Sequence, residues 1–226
     1  MKIYLNGNIK ESRIANYILE PGLLFGWGVF ETLRIYNGSP IFLKEHIQRL
    51  KEGCNKTLIK FPNTAFGKKI QILLRKNRLS HAYCRITLFK KKIGTGVLIT
   101  VEPFNRYKKN DYKKGFKAII VPSLRNSKNL LTGIKSISYL ENMIARKIAI
   151  KNGKQEALFL NESGFLTEGC RSNLFFIKGK TVYTPSLECG LLDGITRQKV
   201  IKIIKKQRLN FKMGKFKIRD LLSCDE

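Results

Sequence analysis

Four short stretches hold the residues with the most chemistry in them. Lys135 lies in Gly133-Ile134-Lys135-Ser136, between a glycine turn and a helical run, with Ile134 and Ile137 beside it. Apolar neighbours favour a neutral amine, the form a Schiff-base lysine needs. Glu168 lies in Thr167-Glu168-Gly169-Cys170-Arg171-Ser172-Asn173, ahead of the apolar run Leu174 to Ile177. A carboxylate held inward at such a turn can pair with a protonated ring nitrogen, or serve as an ordinary turn acid. In Gly190-Leu191-Leu192-Asp193-Gly194-Ile195-Thr196-Arg197 a glycine turn runs straight into a helix. Free backbone N–H groups and the helix dipole suit a phosphate there, and the Thr196 hydroxyl adds a donor. Arg49, in Glu45-His46-Ile47-Gln48-Arg49-Leu50, shares a helical face with Glu45 and Glu52 and is either an anion ligand or a surface ion-pair partner.

Composition narrows the remaining options. Five cysteines (54, 84, 170, 189 and 224) occur without any CxxC, and only His46 and His81 are available, so a zinc site, a disulfide framework or a histidine relay has little material. No metal is expected. The 44 Lys and Arg against 16 Asp and Glu leave a net charge of +28. That charge suits nucleic acid or an anionic surface, but the lysines are scattered and no helix-turn-helix, zinc-finger or RNP-type signature aims them at bases. Sequence-specific nucleic-acid binding is therefore not expected. No apolar run is long enough to span a membrane, and the N-terminus lacks the apolar stretch of a signal peptide, so the reading is a cytoplasmic protein with no membrane partner.

The elements that must position these residues follow from hydrophobic periodicity. Residues 2–5 and 9–14 flank Asn6-Gly7 and predict a hairpin; 29–36 and 40–43 predict a second one around Asn37-Gly38. Amphipathic helices follow over 44–58, with Ile47, Leu50, Cys54 and Leu58 as the apolar stripe, and over 64–78, with Phe66, Ile70, Leu73 and Leu74. Strands are predicted at 83–89 and 96–101, and the charged run after Glu102 reads as a linker. Beyond it come a strand at 116–121, a polar loop, a helix over 138–151 and strands at 156–161 and 172–177. A last long helix starts at Ile195. Ser138 and Glu141 form a capping-box pattern for the first of these helices, with Leu140, Ile144 and Ile148 as its buried stripe. This order predicts α+β layers rather than a Rossmann fold.

Five stretches, FGWGVFETLRIYNG, EHIQRL, GIKSISYLEN, EALFLNESGFLTEGCRSNLFF and GLLDGITR, resemble in content and order the fold-type-IV pyridoxal-phosphate enzymes. This is the class IV aminotransferase family, which includes branched-chain and D-amino-acid aminotransferases and aminodeoxychorismate lyase. The resemblance covers nearly the whole chain. It implies an N-terminal α/β sandwich-like domain (1–106), a linker (107–115) and a C-terminal cofactor-binding pseudo-barrel (116–226). Family members usually continue past Glu226, so the second domain is expected to be incomplete, which leaves a catalytically impaired remnant, or a basic nucleic-acid-binding protein, as the non-enzyme alternative.

Carried over residue by residue, the resemblance implies that Lys135 holds pyridoxal 5'-phosphate as an aldimine and acts as general base and acid, while Glu168 faces the pyridine nitrogen. Arg49 and the Gly194-Ile195-Thr196 turn would bind the phosphate. The physics agrees: a carboxylate keeps the ring nitrogen protonated and the ring an electron sink, and a dianion matches a guanidinium and a helix N-terminus. Thr32, in Phe30-Glu31-Thr32, matches a threonine of the lyases, where branched-chain enzymes typically have glycine; a hydroxyl there can steer proton delivery. The sequence thus favours pyruvate elimination from aminodeoxychorismate, giving 4-aminobenzoate, over amino transfer by a branched-chain or D-amino-acid aminotransferase. A small-molecule amino substrate and a homodimer are implied with it.

Overall fold

Strict alternation over Gly28–Tyr36 makes a strand with two unlike faces. Val29, Glu31, Leu33 and Ile35 are buried on one side; Phe30, Thr32, Arg34 and Tyr36 occupy the other, with exposure growing toward the end. The computed structural model describes residues 2–5, 8–11, 19–105 and 109–226. The chain divides into two units, one of Met1–Phe104 with Lys135–Ser138 and one of Asn105–Ile134 with Tyr139–Glu226.

In the first unit, β1 (Lys2–Leu5) and β2 (Asn8–Glu11) pair as an antiparallel hairpin. The expected Asn6-Gly7 turn and residues 12–14 lie outside the described residues. A short helix, α1 (Pro21–Leu24), precedes β3 (Gly28–Tyr36). With β4 (Ser39–Pro40), β5 (Ala82–Lys90) and β6 (Thr95–Pro103), β3 forms an antiparallel sheet in the order β4-β3-β5-β6. Helices α2 (Leu43–Lys56) and α3 (Phe66–Lys76) join the second and third of these strands in the sequence. α2 buries His46, Leu50 and Cys54 at four-residue spacing, and α3 buries Phe66, Ile70 and Leu74. The expected stripe on α2 is corrected at its end: the helix stops at Lys56, Leu58 turns to a positive φ of 56° and is 79% exposed, and His46 takes a buried place instead.

In the second unit, α4 (Lys109–Lys114) falls within the stretch expected to be a linker. Then β7 (Ala118–Arg125) pairs in parallel with β8 (Glu156–Asn161), and β8 pairs antiparallel with β9 (Leu166–Gly169). Parallel pairing needs a crossover, supplied by α5 (Leu140–Lys151). β7 runs farther than predicted, through Pro122, and its register shifts between Ile120 and Leu124, where proline offers no N–H to the ladder. Val121, Ala145, Ala149, Ala157, Phe159 and Cys170 form the core beneath it.

Two expectations about α5 are corrected. Its N-cap is Tyr139 with no side-chain cap; Ser138 donates its hydroxyl to Gly26 O, and Glu141 accepts from Ser123. The buried face is Asn142, Ala145 and Ala149, with Leu140 and Ile144 exposed, because small residues let the helix approach the sheet closely; of the expected stripe only Ile148 packs, half-buried, against the core. The predicted strand at 172–177 is also displaced. Glu168 is itself in β9, and pairing resumes only in β10 (Phe176–Lys178), which with β11 (Thr181–Pro185) and β12 (Asn210–Gly214) makes the last sheet. Between β11 and β12 lies α6 (Ile195–Lys206); α7 (Ile218–Leu222) ends the chain's regular structure.

Candidate functional site

Residues 135–137 lie along the edge of β3. Phe30 N–H donates to Lys135 O (2.8 Å), Ile137 N–H donates to Gly28 O (3.0 Å), and Ser136 bridges to Val29. Ser136 Oγ also reaches Gly28 O at 3.2 Å. Gly28 is required by space, since a Cβ there would press on Ile137 Cδ1 at 2.6 Å and Leu88 O at 2.8 Å. This pairing puts Lys135 opposite Phe30, and the amine Nζ sits 4.7 Å from the centre of the Phe30 ring. Arg85, opposite Thr32 on β5, stacks its guanidinium on the same ring at 3.7 Å. Thr32 is two residues along β3 from Phe30, so its hydroxyl belongs to the face that carries the Lys135 amine.

The opposite face of β3 holds a buried charge. Glu31, fully inaccessible, accepts from Arg49 Nε at Oε1 (2.6 Å) and from Arg49 Nη2 at Oε2 (2.8 Å), and His46 Nδ1 lies 2.7 Å from that same Oε2. Burial by itself would raise the Glu31 carboxyl, but the hydrogen bonds and charges of His46 and Arg49 outweigh it and hold the pKa below its ordinary value. α2 supplies both partners, three residues apart on one helical face.

In the second unit, Glu168 on β9 accepts from the Leu192 N–H at 3.2 Å and, at a longer 3.4 Å, from Asn173 Nδ2; Arg125 Nη1 stands 3.9 Å from its Oε1. Asn173 Nδ2 also donates to Leu192 O at 2.9 Å, tying the Glu168 strand to the turn before α6. That turn ends at Gly194, the N-cap of α6, where a Cβ would overlap Asn173 Oδ1. The first helical hydrogen bond runs from Gln198 N–H to Gly194 O, so the N–H groups of Ile195, Thr196 and Arg197 lie ahead of the ladder. Ile195 is buried and Thr196 exposed. Tyr139 donates to Cys170 O at 2.6 Å, and burial, with help from Glu168 and Cys170, pushes its phenol up to about 12. It stays a neutral donor.

The structure thus brings Lys135 and Thr32 to one sheet face and places Arg49 on Glu31. Separately, it brings Glu168 and Gly194 to Asn173, with Ile195 and Thr196 following Gly194 as the first residues of α6. Sequence reasoning missed Glu31, His46, Asn173, Arg125 and Tyr139. Only Glu31 left a signal: it is a carboxylate in phase with Val29, Leu33 and Ile35. Burial pushes Cys54 and Cys170 up to about 11 and Cys84 up to about 12, so these thiols are poor nucleophiles. Among the described residues, no group of three or more His, Cys, Asp or Glu could hold a metal ion, and no helix is long and apolar enough to cross a membrane.

The sequence model of the class IV amino-transferase family matches residues 28–226. The chain belongs to that family. Aminodeoxychorismate lyase of Bacillus subtilis (strain 168) is 33% identical over 241 residues, spanning 99% of this chain and 80% of the relative. D-alanine aminotransferase of Bacillus licheniformis is 30% identical over 238 residues, spanning 100% and 83%. The crystal structure of the branched-chain aminotransferase of Thermoproteus uzoniensis with norvaline superposes with a TM-score of 0.85 at 28% identity, covering 100% of this chain and 82% of that one. The expected fold-type-IV α+β architecture is therefore established, and the chain is a pyridoxal-phosphate-dependent class IV enzyme of the aminotransferase and lyase group.

The residues present fit that cofactor. It needs an amine, an anion for its ring nitrogen and donors for its phosphate. Each unit carries groups of these kinds: the first has the Lys135 amine and the Arg49 guanidinium, and the second has the Glu168 carboxylate held by a backbone N–H and a helix start whose capping position excludes a side chain.

Proposed function

We propose that this class IV enzyme is a 4-amino-4-deoxychorismate lyase, releasing pyruvate and forming 4-aminobenzoate. Lys135 would hold the cofactor covalently through its amine, Glu168 would pair with the ring nitrogen, and Arg49 with the Gly194-Ile195-Thr196 turn would bind the phosphate. When bound, pyridoxal phosphate supplies an electron sink for the negative charge left after a proton is removed from the substrate carbon that bears nitrogen. The observation that carries the choice of reaction is the Thr32 hydroxyl on the sheet face of the Lys135 amine. The amine would take the proton from the substrate carbon, and the hydroxyl on the same face would offer a second donor for proton delivery as pyruvate departs. Loss of pyruvate leaves an aromatic ring, so the products lie downhill without an amino acceptor.

The reading includes a homodimer, although +28 on each subunit opposes association at low salt. It also includes a cytoplasmic location, where the five free thiols stay reduced.

The test is product analysis on the protein loaded with pyridoxal phosphate and given aminodeoxychorismate. Pyruvate and 4-aminobenzoate in equal amounts are expected, and borohydride reduction followed by peptide mapping should place a pyridoxyl group on Lys135. Amino transfer from an amino acid to a keto acid, with no pyruvate from aminodeoxychorismate, would make the protein an aminotransferase. Label on a different lysine would overturn the site assignment.

A further inference from the structure

We propose that Glu31 and His46 are positioning residues that hold Arg49 in the orientation needed to receive a phosphate monoester, making them determinants of selectivity for the phosphorylated cofactor. The inference rests on the reading that Arg49 meets the cofactor phosphate, and goes beyond it in assigning two residues that never touch the ligand. A carboxylate at the Glu31 position is costly. It stands in line with Val29, Leu33 and Ile35 on the buried face of β3, where an aliphatic side chain would pack without desolvating a charge. What the carboxylate provides is direction. The Arg49 Nε and Nη2 contacts at 2.6 and 2.8 Å form a side-on fork, which fixes the plane of the guanidinium and so the direction in which Nη1 points.

His46 holds the other end of the arrangement. Its Nδ1, 2.7 Å from Glu31 Oε2, shares that oxygen with Arg49 Nη2 and keeps the carboxylate from rotating. Both partners come from α2, one helical turn apart, so helix and strand lock one another through a single anion. A long arginine side chain that must be immobilised when ligand arrives binds weakly. Immobilised beforehand, it meets a tetrahedral dianion at a smaller cost in side-chain entropy. The Glu31 negative charge is matched by Arg49 itself, so the arrangement supplies oriented donors rather than surplus charge.

The experiment compares pyridoxal phosphate with pyridoxal, two ligands that differ only in the phosphate, by equilibrium dialysis against the apoprotein. Glu31→Gln should weaken pyridoxal phosphate at least tenfold while changing pyridoxal less than threefold, as Arg49→Ala does, and the double variant should lose no more selectivity than Arg49→Ala alone. Glu31→Asp, which keeps the charge, should recover part of the lost selectivity, and His46→Gln should lose selectivity two- to fivefold. If Arg49→Ala loses selectivity and Glu31→Gln does not, the positioning role is wrong and the phosphate role of Arg49 stands. If neither does, the phosphate role of Arg49 is wrong, and this inference goes with it. Should Glu31→Gln fail to fold, unchanged selectivity in both Glu31→Asp and His46→Gln overturns the proposal.

Discussion

Gly194 can be tested directly, because its requirement for glycine is one of space and not of backbone conformation. Its φ of −63° and ψ of 137° are open to any residue. A Cβ, however, would overlap Asn173 Oδ1 and stand 3.2 Å from Asn173 Cγ. In Gly194→Ala the Asn173 amide must swing away, which breaks its 2.9 Å bond to Leu192 O and the longer contact to Glu168. The lost hydrogen bond costs about 0.5–1.5 kcal/mol and the overpacking about 1–3 kcal/mol, giving roughly 2–4 kcal/mol in all. For a chain of this size that is a fall in Tm of roughly 5–15 °C, measurable by circular dichroism on the apoprotein. Asn173→Ala alone should cost about 1–2 kcal/mol, from the hydrogen bond and the polar partner it leaves behind. The two changes share one clash, so the double variant should lie within about 0.5 kcal/mol of Asn173→Ala. A Gly194→Ala protein as stable as the parent, or a double variant that loses the sum of the two single effects, would refute the steric account.

Glu168→Gln should leave pyridoxal-phosphate binding largely intact and lower kcat at least tenfold, about 1.4 kcal/mol in the barrier, because a neutral amide cannot keep the ring nitrogen protonated; unchanged turnover removes Glu168 from that role. Phe159, fully buried and stacked under Arg125 at 4.1 Å, should cost about 3–5 kcal/mol when truncated to Ala, read from denaturant midpoints. The Glu31 carboxyl titrates below its ordinary value in the folded chain, so it contributes stability above the ordinary carboxylate range that is lost as pH falls through the folded value. The stability gap between the wild type and Glu31→Gln should accordingly shrink on acidification below about pH 4, and a gap that stays constant from pH 7 to pH 3 contradicts the linkage.

Local order was legible in the sequence. The alternation of β3, the four-residue spacing along α2 and α3, and the glycine turn into α6 are short-range patterns whose period states the element. So was the family, because the chemistry that Lys135, Glu168 and the α6 turn are candidates for needs particular residue types close to particular turns, and a set of such stretches in order is specific to one family. The remainder depended on partners distant in sequence. Which face α5 buries was set by how closely a helix can approach a sheet, which favoured Asn142, Ala145 and Ala149 over the larger apolar residues. Ser138 caps nothing because its hydroxyl is taken by Gly26, 112 positions earlier. Arg49 reads as an anion ligand or the partner of Glu45 or Glu52 on its own helix until β3 brings Glu31 against it from 18 positions away. Asn173 shows its role only once Leu192 and Glu168 lie on either side of it. Periodicity records which elements a chain forms. The charges and amides that orient a site are paired across elements, and those pairings exist only after the strands and helices have packed.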